Sequence, residues 1–478
     1  MATFHQMDLV MTEREPMSLI DAAWLRMDRP TNLMMICGMM TFADRLDLED
    51  VREVIRKRML CFRRFTQRAV RGSSPYWAAD PYFDLDWHVR HIALPRSGDL
   101  EEVVSDLIST PLDPSKPMWQ FHVIDTEPGS ALVMRIHHSY GDGFALMYVL
   151  AAMTDTEPRN PRKPLGDLGR NDDTRSAWER ILGPASEVVS GAYRAAQTLA
   201  STGWGLVSEP FRLVQYGEAG LGLARDAAVI AGMTPDSPTR FKGPMGVMKR
   251  AAWASPLSLF EVKAVAEAFG CSVNDVLLSC VAGALRAYLL EQGDDVDGVE
   301  IRALVPVNQR PPGRVAELGN DFSLVFVSLP VGVEDPVERM LEMHKRMNEL
   351  KGSKQPLVAM GILISMGLLP EDMKERVLEA LAANASAVIT NVRGSAEPQY
   401  FAGKRIERQV FWVPQSGGIG MGISILSYAG NVDFGVATDV QRVPDPATLV
   451  RRFTDEFEAT LLAALLMSWP GEPARSDL

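Results

Sequence analysis

The chain has 478 residues, 46% of them hydrophobic and 23% charged, which excludes a disordered or fibrous protein and supplies apolar material for two buried cores. A formal net charge of -12 and a pI near 5.2 exclude a general nucleic-acid binder, because phosphate contacts need a basic surface; only a local basic patch for a small anionic ligand stays open. The four cysteines, Cys37, Cys61, Cys271 and Cys280, have no CxxC spacing, so neither a disulfide framework nor a zinc site is expected.

From the N-terminus, Met1 to Arg14 lacks the basic-then-apolar order of a secretory signal, and a cytoplasmic location is expected. Up to about Met153, short apolar runs mix with helices. Leu132 to Ile136 reads as a buried strand and Phe144 to Met153 has helical apolar spacing. Between Pro158 and about Pro238 a Pro/Arg/Asn opening leads into Ala-, Gly- and Val-rich segments of modest helical periodicity. This is expected to be a helical connector between two α/β-type domains, giving boundaries of 1–157, 158–246 and 247–470. Trp204, Phe211 and Tyr216 in the connector suit either a plain crossing or an amphipathic layer resting on a membrane or lipid inclusion.

In the third region Ser272 and Asp275 have the form of a capping box, followed by Leu277, Val281, Ala284, Leu285 and Tyr288 at helical spacing. Ile301 to Val307 and Phe322 to Leu329 read as strands. Leu357 to Leu369 is an apolar run expected as a buried helix, with an acyl-channel wall as the functional alternative. Gln409 to Val432 is uncharged and long enough for a membrane helix, but its proline and glycines predict two buried strands joined by a loop. Gly430-Asn431 predicts a hairpin turn between Ile423 to Tyr428 and Val432 to Ala437.

Two of the seven histidines are adjacent, in Ile136-His137-His138-Ser139-Tyr140-Gly141-Asp142-Gly143. They fall at the carboxyl end of a strand where the chain turns into a helix, and ligand sites of α/β proteins cluster at such ends. Gly141 and Gly143 are expected to allow tight turns that fold Asp142 back to brace the loop. An imidazole titrates near about 6.5, so a braced neutral histidine is suited to taking a proton from an attacking hydroxyl. A metal site on His137, His138 and Asp142 is disfavoured, because adjacent strand residues point to opposite faces. A packed histidine pair at a strand end is the bland alternative, and glycine on both sides of the aspartate weighs against it. Serine-hydrolase, phosphate-loop and dinucleotide signatures are missing from the sequence, which favours direct transfer with a base.

His137 to Gly143 match the HHxxxDG motif of the CoA-dependent acyltransferase superfamily. The chain resembles the wax ester synthase/diacylglycerol acyltransferase family over nearly its whole length. The likeness runs through Ser18 to Asn32, Phe83 to Pro95, Pro111 to Asp125, Asn274-Asp275, Pro306 to Arg310, Asn391 to Gly394 and Tyr400 to Gly403. The resemblance implies two chloramphenicol-acetyltransferase-like domains, each a mixed β-sheet with flanking helices, and an active-site channel at their interface. It implies His138 as the general base, His137 as its support, Asp142 paired with an arginine for structure, and Gly143 as part of the motif.

By the same resemblance the substrates are acyl-CoA and a diacylglycerol or long-chain fatty alcohol, with no cofactor and no metal. Peripheral contact with the inner membrane face or lipid droplets is a further expectation. Met34-Met35 and the Arg393/Ser395 pair depart from the family pattern and bear on substrate preference. The alternatives are a non-catalytic lipid-binding or inclusion-coating protein on the same fold, and a condensation-type enzyme acting on carrier-bound acyl groups. Asn274 and Asp275 are expected as helix-cap residues, and His88, His91 and His122 as exposed or edge-strand histidines.

Overall fold

The computed structural model describes residues 14–94, 99–127, 129–162, 235–308, 319–320, 322–351, 383–415 and 418–467. The connector around Trp204, Phe211 and Tyr216 and the apolar run at Leu357 to Leu369 lie outside these residues.

In chain order the strands that build the two large sheets are β1 (Met35–Phe42), β2 (Val89–Ala93), β3 (Trp119–Asp125), β4 (Ser130–His137), β5 (Lys249–Trp253), β6 (Leu257–Ser258), β7 (Ile301–Asn308), β8 (Phe322–Leu329), β9 (Ala387–Arg393), β10 (Arg408–Trp412), β11 (Met421–Tyr428) and β12 (Asn431–Asp439). The main helices are α1 (Leu19–Met27), α2 (Leu100–Ser109), α3 (Gly143–Met153), α4 (Leu259–Ala268), α5 (Val273–Glu291), α6 (Pro336–Lys351) and α7 (Pro446–Leu466). The first sheet runs β10-β1-β4-β3-β2, and the second β8-β7-β9-β11-β12-β5 with β6 also on β12. Both are mixed: β2 is parallel to β3, and β9 is parallel to both β7 and β11. This is the mixed α/β architecture expected from the sequence.

β4 lies between β1 and β3, so both its edges are hydrogen-bonded. Only one of its eight residues is not fully buried. Burial on both faces is why this strand reads as a continuous apolar run rather than an alternating one. α2 packs against β5, and Ser105 and Ser109 on it donate to or accept from the β5 backbone, which ties the first half to the second sheet.

The uncharged segment from Gln409 divides as expected, into β10 and β11 with a loop between them, but the two strands belong to different sheets. β10 pairs with β1 and β11 with β9, so the chain passes from the first sheet to the second between them. The following hairpin is present with its turn one residue earlier than expected. Ala429 and Gly430 carry positive φ of 46° and 82°, whereas Asn431 already pairs with Tyr428. Two successive left-handed residues match the right-handed strand twist, and the turn takes them at Ala429-Gly430. α5 is long and apolar enough to cross a membrane, yet it is mostly buried against α7 and α6 in the second core. It starts as expected, with Ser272 and Asp275 forming a reciprocal capping box.

Candidate active site

The two histidines end β4 and open a short 3-10 turn, His138–Tyr140, that leads into α3. The His137 N–H donates to the Met118 carbonyl (3.0 Å) and the His138 N–H to the Met34 carbonyl (2.7 Å), so the backbone of both is fixed from neighbouring segments. Asp142 is the N-cap of α3, its Oδ1 accepting from the Ala145 N–H at 2.9 Å. Its own N–H donates to the Gly319 carbonyl, 3.2 Å away in the second half. Asp142 thus braces the loop as expected, by capping the start of α3.

The flanking glycines act differently from the expectation. Gly141 has φ 167°, an extended conformation open to any residue, and Gly143 is the first residue of the helix. What Gly141 supplies is closeness: a Cβ there would stand 3.1 Å from Ala145 Cβ. At Gly143 a Cβ would meet nothing within 4 Å, so that glycine leaves open space beside the motif.

His138 is held by groups that the sequence did not single out. Its Nδ1 lies 2.8 Å from Asn320 Oδ1, and Asn320 Nδ2 donates to Asp21 Oδ1 (2.7 Å) and to the His138 carbonyl (2.9 Å). A carbonyl only accepts, so Nδ2 must be the amide atom facing it, and Oδ1 is then the atom facing the imidazole. Nδ1 therefore carries the ring proton and Nε2 keeps a lone pair. The Trp24 ring stacks on the imidazole at 4.0 Å and 15°, and Phe322 approaches at 5.8 Å. Trp24, Met27, Met34 and Phe322 form one buried apolar cluster around it. Burial pulls the His138 pKa below the usual histidine value, with Asp142 and the Asn320 hydrogen bond partly opposing it. The ring is 7% exposed and neutral at physiological pH.

His137 takes the opposite tautomer. Its Nδ1 accepts from the Ser139 N–H at 3.1 Å, so the proton sits on Nε2, pointing toward Asp28 Oδ1 at 3.8 Å. Burial pushes its pKa down to about 3, with the neighbouring His138 adding to the shift. The three polar motif residues thus face three different partners, and among the described residues no group of three or more His, Cys, Asp or Glu is arranged for a metal.

The remaining sequence-selected residues lie elsewhere. Asn274 and Asp275 sit in the first turn of α5, where Asp275 completes the capping box and also meets His344 Nδ1 at 2.7 Å. Asn274 Oδ1 accepts from Asn391 Nδ2 at 2.9 Å, which links the two motif stretches Asn274-Asp275 and Asn391 to Gly394. His91 is exposed on the edge strand β2, as expected. His122 and His88 are corrections. His122 is buried on β3, which lies inside the sheet, and His88 is fully buried with Nδ1 2.7 Å from the Trp119 carbonyl and its ring stacked on Trp119 at 4.2 Å. The Trp119 indole and the sheet interior offer apolar surface that neutral imidazoles fill.

Of the departures, Met34 is fully buried in the cluster around His138 and Met35 lines a separate cleft between the two large sheets. That cleft lies between β1, β10 and the β5/β12 edge. Cys37, Trp412, Lys249 and Ala437 also line it.

The signal that would have found Asp21 and Trp24 is their spacing of three on one face of a helix. Asn320 stands just before β8 with no periodicity or cluster around it. Only the fold brings it to His138, 182 positions away.

Comparison with known proteins agrees with this geometry. Residues 17–277 match the wax ester synthase/diacylglycerol acyltransferase catalytic domain, and residues 318–460 match the WS/DGAT C-terminal domain. The chain is 28% identical over 393 residues to tgs1 of Mycobacterium tuberculosis, described as a probable diacylglycerol O-acyltransferase, covering 80% of each chain. In fold it is similar to the wax ester synthase/diacylglycerol acyltransferase from Marinobacter aquaeolei VT8, with a TM-score of 0.67 and 21% identity over 94% of this chain and all of that one. It is also similar in fold to the first condensation domain of the CDA synthetase, with a TM-score of 0.56 and 16% identity over 94% and 97% of the two chains. With both family domains matched in order around this buried histidine, the chain belongs to the wax ester synthase/diacylglycerol acyltransferase family and is an acyltransferase.

Proposed function

We propose that the enzyme moves a long-chain acyl group from acyl-CoA to the hydroxyl of diacylglycerol or a long-chain fatty alcohol, with His138 as the general base. The observation that carries this reading is the neutral imidazole with its proton held on Nδ1, which leaves Nε2 to accept the proton of the acceptor hydroxyl. The alkoxide oxygen forms its bond to the thioester carbonyl carbon as that proton moves to Nε2. The tetrahedral intermediate then collapses, the carbon–sulfur bond breaks, and the CoA thiolate takes the proton back from the imidazolium. Trp24, Met34 and Phe322 keep water from the ring, which suits transfer over hydrolysis of the thioester.

His137 supports the base by packing and by its bond to Ser139, and Asp142 by capping α3. Chloramphenicol-acetyltransferase-like halves at 1–157 and 247–470, joined by 158–246, are part of the same reading. β10 of the second half completing the first sheet supports a single catalytic unit built from both. Action on lipid acceptors from the cytoplasmic side, at a membrane or inclusion surface, belongs to the same reading, and the apolar surroundings of the base suit an apolar acceptor.

The test is release of free thiol from palmitoyl-CoA by purified enzyme, with dipalmitoylglycerol or hexadecanol supplied separately, beside His138→Ala. Acceptor-dependent release should fall by about 100-fold or more in the variant, the usual worth of a general base. Lipid binding with no acceptor-dependent release from folded protein, across several chain lengths, would establish a binding protein instead.

A further inference from the structure

We infer that Asn320 and Asp21 are positioning residues that lock His138 in its base tautomer, and that the two halves of the chain must dock for the lock to form. The inference rests on the reading of His138 as the base. Asn320 precedes β8 of the second sheet, while Asp21 is on α1 of the first half. Asp21 is 4% exposed and Asn320 8% exposed, and the carboxamide joins the two sides of the interface with three hydrogen bonds.

Asp21 is built to orient this amide. Its backbone N–H donates to the Ser18 cap, its Oδ2 stands 4.0 Å from an Arg64 nitrogen, and its Oδ1 faces Asn320 Nδ2. With Nδ2 committed to Asp21 and to the His138 carbonyl, Oδ1 has one orientation, toward Nδ1. An imidazole free of this contact distributes its proton between both nitrogens, and the form protonated on Nε2 cannot take a proton there. During transfer the acceptor proton arrives on Nε2 and leaves to the thiolate, while the Nδ1 proton stays in its bond to Oδ1. No proton passes to Asp21. The charged and titratable groups facing the imidazole are Asp21 from α1 with Arg64 behind it, Asp142 at the head of α3, and His137 at the end of β4 with Asp28 beyond it.

Asn320→Ala, Asp21→Ala and Asp21→Asn should separate this role from a purely structural one. Asn320→Ala is expected to lower kcat by about 10- to 100-fold, as loss of a bond to a group that becomes charged does, with KM for both substrates unchanged. Because the Oδ1 contact stabilises the imidazolium, its loss should also move the acid limb of the kcat/KM profile to lower pH. Asp21→Asn still presents an oxygen to Nδ2 and should keep most of the wild-type kcat, whereas Asp21→Ala should fall between wild type and Asn320→Ala.

Ring-nitrogen NMR of protein labelled with 15N-histidine reads the tautomer without any acyl transfer, with the His138 signal assigned by its absence in His138→Gln. A single Nδ1–H form in wild type, becoming mixed in Asn320→Ala, is the expected result, and it holds whether or not the acyltransferase substrates are right. An unmoved acid limb, a loss confined to KM, or a mixed tautomer in the wild type would overturn the inference. A wild-type enzyme inactive on every acyl-CoA and acceptor would sink the substrate reading alone.

Discussion

Lys249 on β5 is 7% exposed and its ammonium donates to Asp439, to the Thr31 carbonyl (2.9 Å) and to the Gly246 carbonyl (3.1 Å). Asp439 at the end of β12 is fully buried, and its carboxylate also takes the N–H groups of Gly246 and Gln441, each at 2.9 Å. The pair therefore pins the Thr31 loop of the first half to the second sheet, at the edge of the cleft lined by Met35 and Trp412. Lys249→Met keeps the length of the side chain and removes its charge, leaving a carboxylate in the interior with two N–H donors and no cation. Breaking a buried pair from one side costs about 3 to 5 kcal/mol, because the remaining charge stays desolvated. Asp439→Asn should cost a similar amount from the other side. The double variant removes both charges and should lose far less than the sum, with a coupling energy of about 2 kcal/mol or more. Urea unfolding followed by tryptophan fluorescence suits the measurement, since Trp412 lines the same cleft as Lys249 and packs on Trp253 at 5.5 Å. Single variants costing under about 1 kcal/mol and adding in the double would refute the reasoning and show the pair solvated.

Two further outcomes are expected. Burial holds His88 at about 4 and His122 and His137 each at about 3, below the unfolded value near about 6.5. The unfolded chain thus binds more protons in this window, so stability is fully present above pH of about 6.5 and is lost as pH falls toward 3 to 4. The urea midpoint should drop over that range, and His122→Gln should flatten the drop; a midpoint independent of pH from about 6.5 to 4 would show these rings solvated. Trp24→Ala removes the ring stacked at 4.0 Å on the base, and such stacking is worth about 0.5 to 1.5 kcal/mol. A loss of about 2- to 10-fold in kcat is expected, with Trp24→Phe close to wild type in acceptor-dependent thiol release; equal losses in both variants would contradict a stacking role.

The sequence alone determined the elements whose physics is local. The capping box at Ser272 needs only residues three apart, and α5 follows it with apolar spacing. The histidine pair at the end of a buried run, with Asp142 capping the next helix, is likewise written in eight consecutive residues. Three features depended on distant chain segments and were settled only by the tertiary structure. β10 leaves its neighbours in sequence to pair with β1, because sheet edges are filled by whichever strand the fold delivers. His88 and His122 stand in apolar, strand-like runs that do not say whether a strand is at an edge or inside, and they are buried by packing from Trp119 and by the interior position of β3. The tautomer of His138 is fixed by Asn320 and Asp21, which no local pattern connects. A proton's place on an imidazole is set by hydrogen bonds in three dimensions, and the sequence places the histidine pair without saying which nitrogen holds the proton.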